Sequence, residues 1–217
     1  MPKSNVFCAD CLPAMREYPD GYFDLAVVDP PYGIERLKNP HGRLEKYGDT
    51  RQANNEKPTP EYFTELLRVS KKVIVWGGNY FDLPPCRCFI AWYKHQPIDN
   101  YSDCEFAWTN IDEPSKVFDY PYFGTNGADL VRIHPTQKPV ALYRWIYQHY
   151  AKPGDKILDT HMGSQSSRIA AYDAGLDYTG YEIDETYFKL GCERFERHTA
   201  QMNLFIDDFA EQEEIHT

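Results

Sequence analysis

The chain has 217 residues, room for one sizeable domain with an insertion and little more. Hydrophobic residues make up 42% and aromatics 15%, which excludes disorder over most of its length. With 23 Lys/Arg against 33 Asp/Glu the net charge is −10, which speaks against the broadly basic surface of a simple nucleic-acid binder.

Val6-Phe7-Cys8 is a short apolar stretch, followed by Asp10 and a short helix over 12–18. Phe23 to Val28 is a nearly continuous apolar run that stops at Asp29-Pro30-Pro31-Tyr32. A valine-rich run this short, ended by prolines that cannot donate to a ladder, predicts a buried strand of a parallel sheet. Residues 33–58 are polar, with six Lys/Arg and four Asp/Glu, and predict a long loop. Loops of that length are uncommon unless functional. Residues 60–69 have helical spacing of Phe63, Leu66 and Leu67, and 71–76 is a second buried-strand pattern closed by Gly77-Gly78-Asn79. Residues 88–92 and 104–108 are further strand candidates, whereas 111–133 reads as irregular.

Pro139 suits a first helical position, and Val140, Tyr143, Ile146, Tyr147 and Tyr150 recur at helical spacing behind it. Lys156 to Asp159 is a short strand, then a loop, then a helix to about Ala174 with Ser164 as its cap and Gly175 as its C-terminal glycine. Residues 178–182 form a strand and 185–198 a helix with Phe188, Cys192 and Phe195 on one stripe. The tail from 201 to 217 carries five acids and no Lys or Arg. Strands alternating with helices predict an α/β, doubly wound, mostly parallel sheet, with ligands at the carboxyl ends of the strands.

Six cysteines occur, Cys8, Cys11, Cys86, Cys88, Cys104 and Cys192. The Cys86-x-Cys88 spacing does not suit a zinc knuckle, so no metal is expected. No charged, apolar leader and no run of ~18–20 apolar residues is present, so the expectation is a cytoplasmic protein with reduced thiols and no membrane contact.

The segment from Ile157 to Asp184 runs strand, glycine-bearing loop, helix, strand, acid, with Glu182 placed 19 residues after Gly163. That order suits a nucleotide-type cofactor: a small-residue turn admits the ligand to a helix start, and an acid at the next strand tip accepts ribose hydroxyls. Taken with Asp29-Pro30-Pro31-Tyr32 and His134-Pro135-Thr136-Gln137-Lys138-Pro139, this loop resembles that of the DPPY-type DNA amino-methyltransferases that use S-adenosylmethionine. The motif order resembles the circularly permuted, beta-class-like branch of that Rossmann-like methyltransferase fold, in which the catalytic motif precedes the cofactor loop. Trp76-Gly77-Gly78-Asn79-Tyr80-Phe81 also looks like small phage-associated members.

The resemblance implies roles for particular residues. Asp159, Gly163 and Ser164 match the cofactor loop, with His161 in the place of its usual aromatic and Gln165 in that of its last glycine. Glu182 matches the ribose-binding acid, and Asp10 and Cys11 the pair that meets the cofactor's adenine. Thr136 and Lys138 match the segment near the methionine part, where a lysine suits a carboxylate.

The chemistry explains the tetrapeptide. The exocyclic amine of adenine or cytosine is conjugated with its ring, so its lone pair is poorly available. The resemblance implies that the Asp29 side chain and the Pro30 carbonyl, held rigid by Pro30 and Pro31, would accept its two hydrogens and orient the lone pair. Tyr32 would stack against a base extruded from double-stranded DNA.

The resemblance therefore implies adenine-N6 transfer. An N4-cytosine or RNA amine methyltransferase, or a degenerate binding module, remains an alternative. Arg36, Lys38, Arg43, Lys46 and Arg51 are the expected phosphate contacts. The expected organisation is one domain over 1–200 with recognition loops at about 33–58 and 109–133 and an acidic tail over 201–217. A homodimer would enlarge the small DNA surface.

Overall fold

A computed structural model of the chain describes residues 2–33, 56–96, 102–121 and 132–214, with side chains described to residue 201. Its elements are β1 (Ser4–Cys8), α1 (Cys11–Glu17), β2 (Phe23–Val28), α2 (Pro60–Val69), β3 (Ser70–Trp76), β4 (Phe89–Tyr93), β5 (Cys104–Thr109), β6 (Lys116–Asp119), α3 (Val140–Tyr150), β7 (Lys156–Asp159), α4 (Ser166–Asp173), β8 (Asp177–Glu182) and α5 (Glu185–Glu214). Among the described residues the strands form one eight-stranded sheet in the order β1-β8-β7-β2-β3-β5-β4-β6. Only β5 runs antiparallel, against both β3 and β4. The doubly wound, mostly parallel α/β architecture is thus the one expected.

Period-two alternation on β2 distributes its apolar residues to both faces. Leu25 and Val27 point to a core shared with Leu142 and Ile146 of α3 and Ile169 of α4. Ala26 and Val28 point to a second core with Met15 of α1 and Tyr62 and Leu66 of α2. Both faces being covered explains why the strand reads as a continuous apolar run. From β2 the chain winds outward through β3, and from β7 it winds the other way through β8. The boundary between β2 and β7 is therefore a switch point, where a crevice opens at the carboxyl ends.

Four local expectations are corrected. Residues 116–119 are not irregular but form β6, paired in parallel with β4. At four residues with charged ends, the segment lacks a run long enough to show a period. Ser164 does not cap α4; the N-cap is Gln165, with left-handed backbone (φ 60°), and Ser164 Oγ meets Ser166 Oγ at 3.2 Å instead. Pro139 is the N-cap of α3 rather than its first residue. Helix α5 does not end near 198 but continues to Glu214, through most of the acidic tail. No described helix is long and apolar enough to cross a membrane.

Candidate active site

The Asp29-Pro30-Pro31-Tyr32 turn follows β2 at the switch point. Tyr32 Oη donates to Asp29 Oδ1 at 2.7 Å, and Lys138 Nζ donates to Asp29 Oδ2 at 2.5 Å. The Tyr32 ring is stacked on Tyr80, with ring centres 4.9 Å apart and planes 18° apart. Its edge lies against Gly77, where a Cβ would come within 2.2 Å of a ring carbon. Gly77 also has φ 68°, so this position is closed to side chains twice over. Burial first, then the Asp29 charge, pushes the Tyr32 phenol well above its ordinary pKa, and it stays a donor.

Lys138 is buried, and its ammonium also lies 3.3 Å from Glu105 Oε2 of β5. Glu105 Oε1 accepts from Lys94 Nζ at 2.9 Å. Burial opposes charge on both groups and the ion pairing prevails: Lys138 is held above the usual lysine range, and Lys138 and Lys94 bring Glu105 down to about 2.

The loop after β7 is fixed from below by Asp159. One carboxylate oxygen accepts from His161 N at 3.1 Å; the other accepts from Ser167 Oγ and from Tyr178 Oη at 3.2 Å. Burial raises the Asp159 pKa to about 7, and these hydrogen bonds only partly oppose it. Gly163, at φ 45°, donates its N–H to Glu182 Oε2 at 2.9 Å, and Asp184 N donates to Glu182 Oε1 at 2.9 Å. Burial nonetheless keeps Glu182 above the ordinary carboxylate range. The His134 ring packs over Gly163 and against Tyr187, and Thr136 donates its N–H to His134 Nδ1 at 3.3 Å. His161 Nδ1 meets Thr160 Oγ1 at 2.9 Å. Burial lowers its pKa to about 4 against the pull of Asp29 and Asp10, so the ring is neutral at pH 7.

Strand pairing brings the third group alongside. Cys8 of β1 registers with Glu182 of β8, and Ala9 N donates to Glu182 O at 3.0 Å. Asp10 then caps α1 by accepting from Leu12 N at 2.9 Å, and buried Cys11 opens the helix. Burial and Asp10 raise the Cys11 thiol to about 12, so it is not a thiolate. The strand ends thus gather Asp10, Cys11, Asp29 to Tyr32, Thr136, Lys138, Asp159, His161, Gly163, Ser164 and Glu182 on one edge of the sheet. Arg36, Lys38, Arg43, Lys46 and Arg51 lie outside the described residues. Sequence reasoning missed Glu105, Lys94, Gly77 and Tyr80. Period two on β5 was a signal for Glu105, since it shares a face with buried Ala107 and Thr109.

A family model described as a DNA methylase of N6/N4 type matches residues 89–193. The chain is also 36% identical over 244 residues to the DNA adenine methyltransferase YhdJ of Escherichia coli (strain K12), covering 88% of this chain and 82% of that protein. This chain belongs to the N6/N4 DNA methylase family. Two solved structures share the fold of this methylase. The PvuII DNA methyltransferase (cytosine-N4-specific) superposes with a TM-score of 0.62 at 15% identity, covering 93% of each chain. The M1.HpyAVI–SAM complex gives 0.55 at 20% identity, covering 88% of this chain and 98% of that one. The methylase is therefore a DNA methyltransferase with a Rossmann-like sheet.

Proposed function

We propose that the enzyme methylates the N6 amine of an adenine extruded from double-stranded DNA, with S-adenosylmethionine as donor. The observation that carries this reading is the Asp29 carboxylate at the switch point, fixed on both oxygens and next to the β7 loop. The 36% identity to a protein named as an adenine methyltransferase supports adenine, as does aspartate at the first position of the tetrapeptide.

The donor set at the strand ends fits the cofactor. Glu182 accepts from the backbone N–H groups of Gly163, Asp184 and Ile183, and its remaining acceptor capacity would take a ribose hydroxyl. Asp10 and the Cys11 backbone would meet its adenine, and Gly163, Ser164, His161 and Thr136 would line its path. Asp159 would serve it indirectly by holding the loop, since it is buried and one of its oxygens already accepts two hydrogen bonds while the other takes His161 N. When bound, the cofactor supplies an electrophilic methyl group on a sulfonium.

The protein's own part is orientation. Asp29 and the Pro30 carbonyl accept the two amine hydrogens and favour a pyramidal nitrogen. Tyr32 offers its ring to the base, and positioning of this kind accounts for much of the rate in such reactions. The reading treats the chain as one domain with the motif order of the permuted branch. DNA contacts then fall to the basic segment over 36–51, and a second copy would extend them.

The test is calorimetry with S-adenosylmethionine, followed by labelled methyl transfer to duplex DNA, single-stranded DNA and RNA. Cofactor binding with transfer to DNA supports the reading. Transfer to RNA alone, or no binding and no transfer, would overturn it.

A further inference from the structure

The Lys138 ammonium joins carboxylates from two strands of the sheet that are not neighbours. It lies 2.5 Å from Asp29 Oδ2 at the end of β2 and 3.3 Å from Glu105 Oε2 on β5. Its side chain is 5% exposed, and Nζ sits 5.4 Å from the centre of the Trp76 ring. Lys94 closes the array from the far side of Glu105. Removing a partner from such an array leaves uncompensated charge out of water, so the lysine is committed to these two carboxylates.

We propose that Lys138 is the positioning residue of Asp29, held from behind by Glu105, and not a ligand for a cofactor carboxylate. The proposal rests on the reading of Asp29 as the acceptor for the amine hydrogens. That role needs an ionised carboxylate that does not rotate. Tyr32 Oη fixes one oxygen and Lys138 the other, leaving the remaining lone pairs for the amine. Glu105 shares the ammonium, so Lys138 does not spend its whole charge on quenching Asp29 as an acceptor.

Tyr32 and Lys138 touch Asp29, and Glu105 acts on it through Lys138.

The experiment compares wild type, Lys138→Met, Lys138→Arg and Glu105→Gln in the full chain. It measures kcat at saturating cofactor and Kd for S-adenosylmethionine by calorimetry. Lys138→Met is expected to lower kcat by about 100-fold and change Kd by less than about threefold. Lys138→Arg should recover part of kcat, and Glu105→Gln should lower kcat about tenfold with Kd unchanged. A tenfold or greater rise in Kd with near-normal kcat at saturation would overturn the proposal.

Should Lys138→Met fail to fold, Glu105→Gln decides. Wild-type kcat then overturns the proposal, and a lower kcat at constant Kd supports it. A wild-type enzyme that transfers no methyl group would overturn the reading of Asp29 itself. That failure is distinct because it is seen before any substitution is made.

Discussion

Gln165 fills the space that Gly191 leaves on α5: a Cβ at Gly191 would stand 2.6 Å from the Gln165 side chain. Gln165 has φ 60°, a left-handed backbone that costs a non-glycine residue about 1–2 kcal/mol. This is the position where the resembling family carries glycine. The buried amide offsets the cost. Its Oε1 accepts from Arg168 at 2.8 Å and its Nε2 donates to Phe188 O at 3.2 Å. Gly191→Ala should therefore lower stability by ~1–3 kcal/mol through overpacking, read as a lower urea midpoint. Gln165→Gly relieves the backbone but removes both hydrogen bonds, and should lower stability by about 1 kcal/mol. A more stable Gln165→Gly variant would contradict this account of the loop.

Gly77 sets the place of Tyr32. Its substitution by alanine adds a Cβ against the Tyr32 ring and a residue with φ 68°. Gly77→Ala should lose ~1–3 kcal/mol of stability and reduce kcat/KM for methyl transfer by at least about tenfold. Tyr32→Phe keeps the ring and removes only the bond to Asp29, so its loss of kcat/KM should be the smaller one. Thermal melts beside single-turnover rates separate the two effects. Equal rates for Gly77→Ala and wild type would show that the Tyr32 position is not critical.

Much of this was legible in the sequence because both determinants were local. The apolar runs at β2 and β7 name their own strands, and Asp29 and Glu182 follow as strand ends. Glu105 was not legible in the same way. It sits inside an ordinary strand motif, and its partner Lys138 comes 33 residues later in the chain, so only the antiparallel insertion of β5 beside β3 joins them. The Gln165–Gly191 fit was hidden for a similar reason. A loop residue and a mid-helix glycine carry no shared pattern until α5 packs back on α4. Glycine inside a helix is a cost without such a neighbour.

Asp159 makes stability depend on pH in a specific direction. Its folded pKa is about 7 against an ordinary value of 3.8, so protonation favours the folded state. The stability it contributes is fully present below about pH 4 and is lost as the pH rises through about 7. Asp159→Asn removes this titration. The stability of wild type relative to the variant should fall by ~2–4 kcal/mol between pH 4 and pH 8, measured by denaturant midpoints at each pH. A constant difference across that range would show that Asp159 is ionised in the fold at all these pH values.

The central claim is that Asp29 at the β2–β7 switch point directs a methyl group to the N6 amine of adenine in DNA. Nucleoside mass spectrometry of duplex DNA, after incubation with S-adenosylmethionine and either wild type or Asp29→Ala, tests it most directly. The account predicts N6-methyladenine with wild type and a loss of about 100-fold or more with Asp29→Ala, while the variant still binds the cofactor. N4-methylcytosine as the product, or undiminished N6-methyladenine from Asp29→Ala, would contradict it.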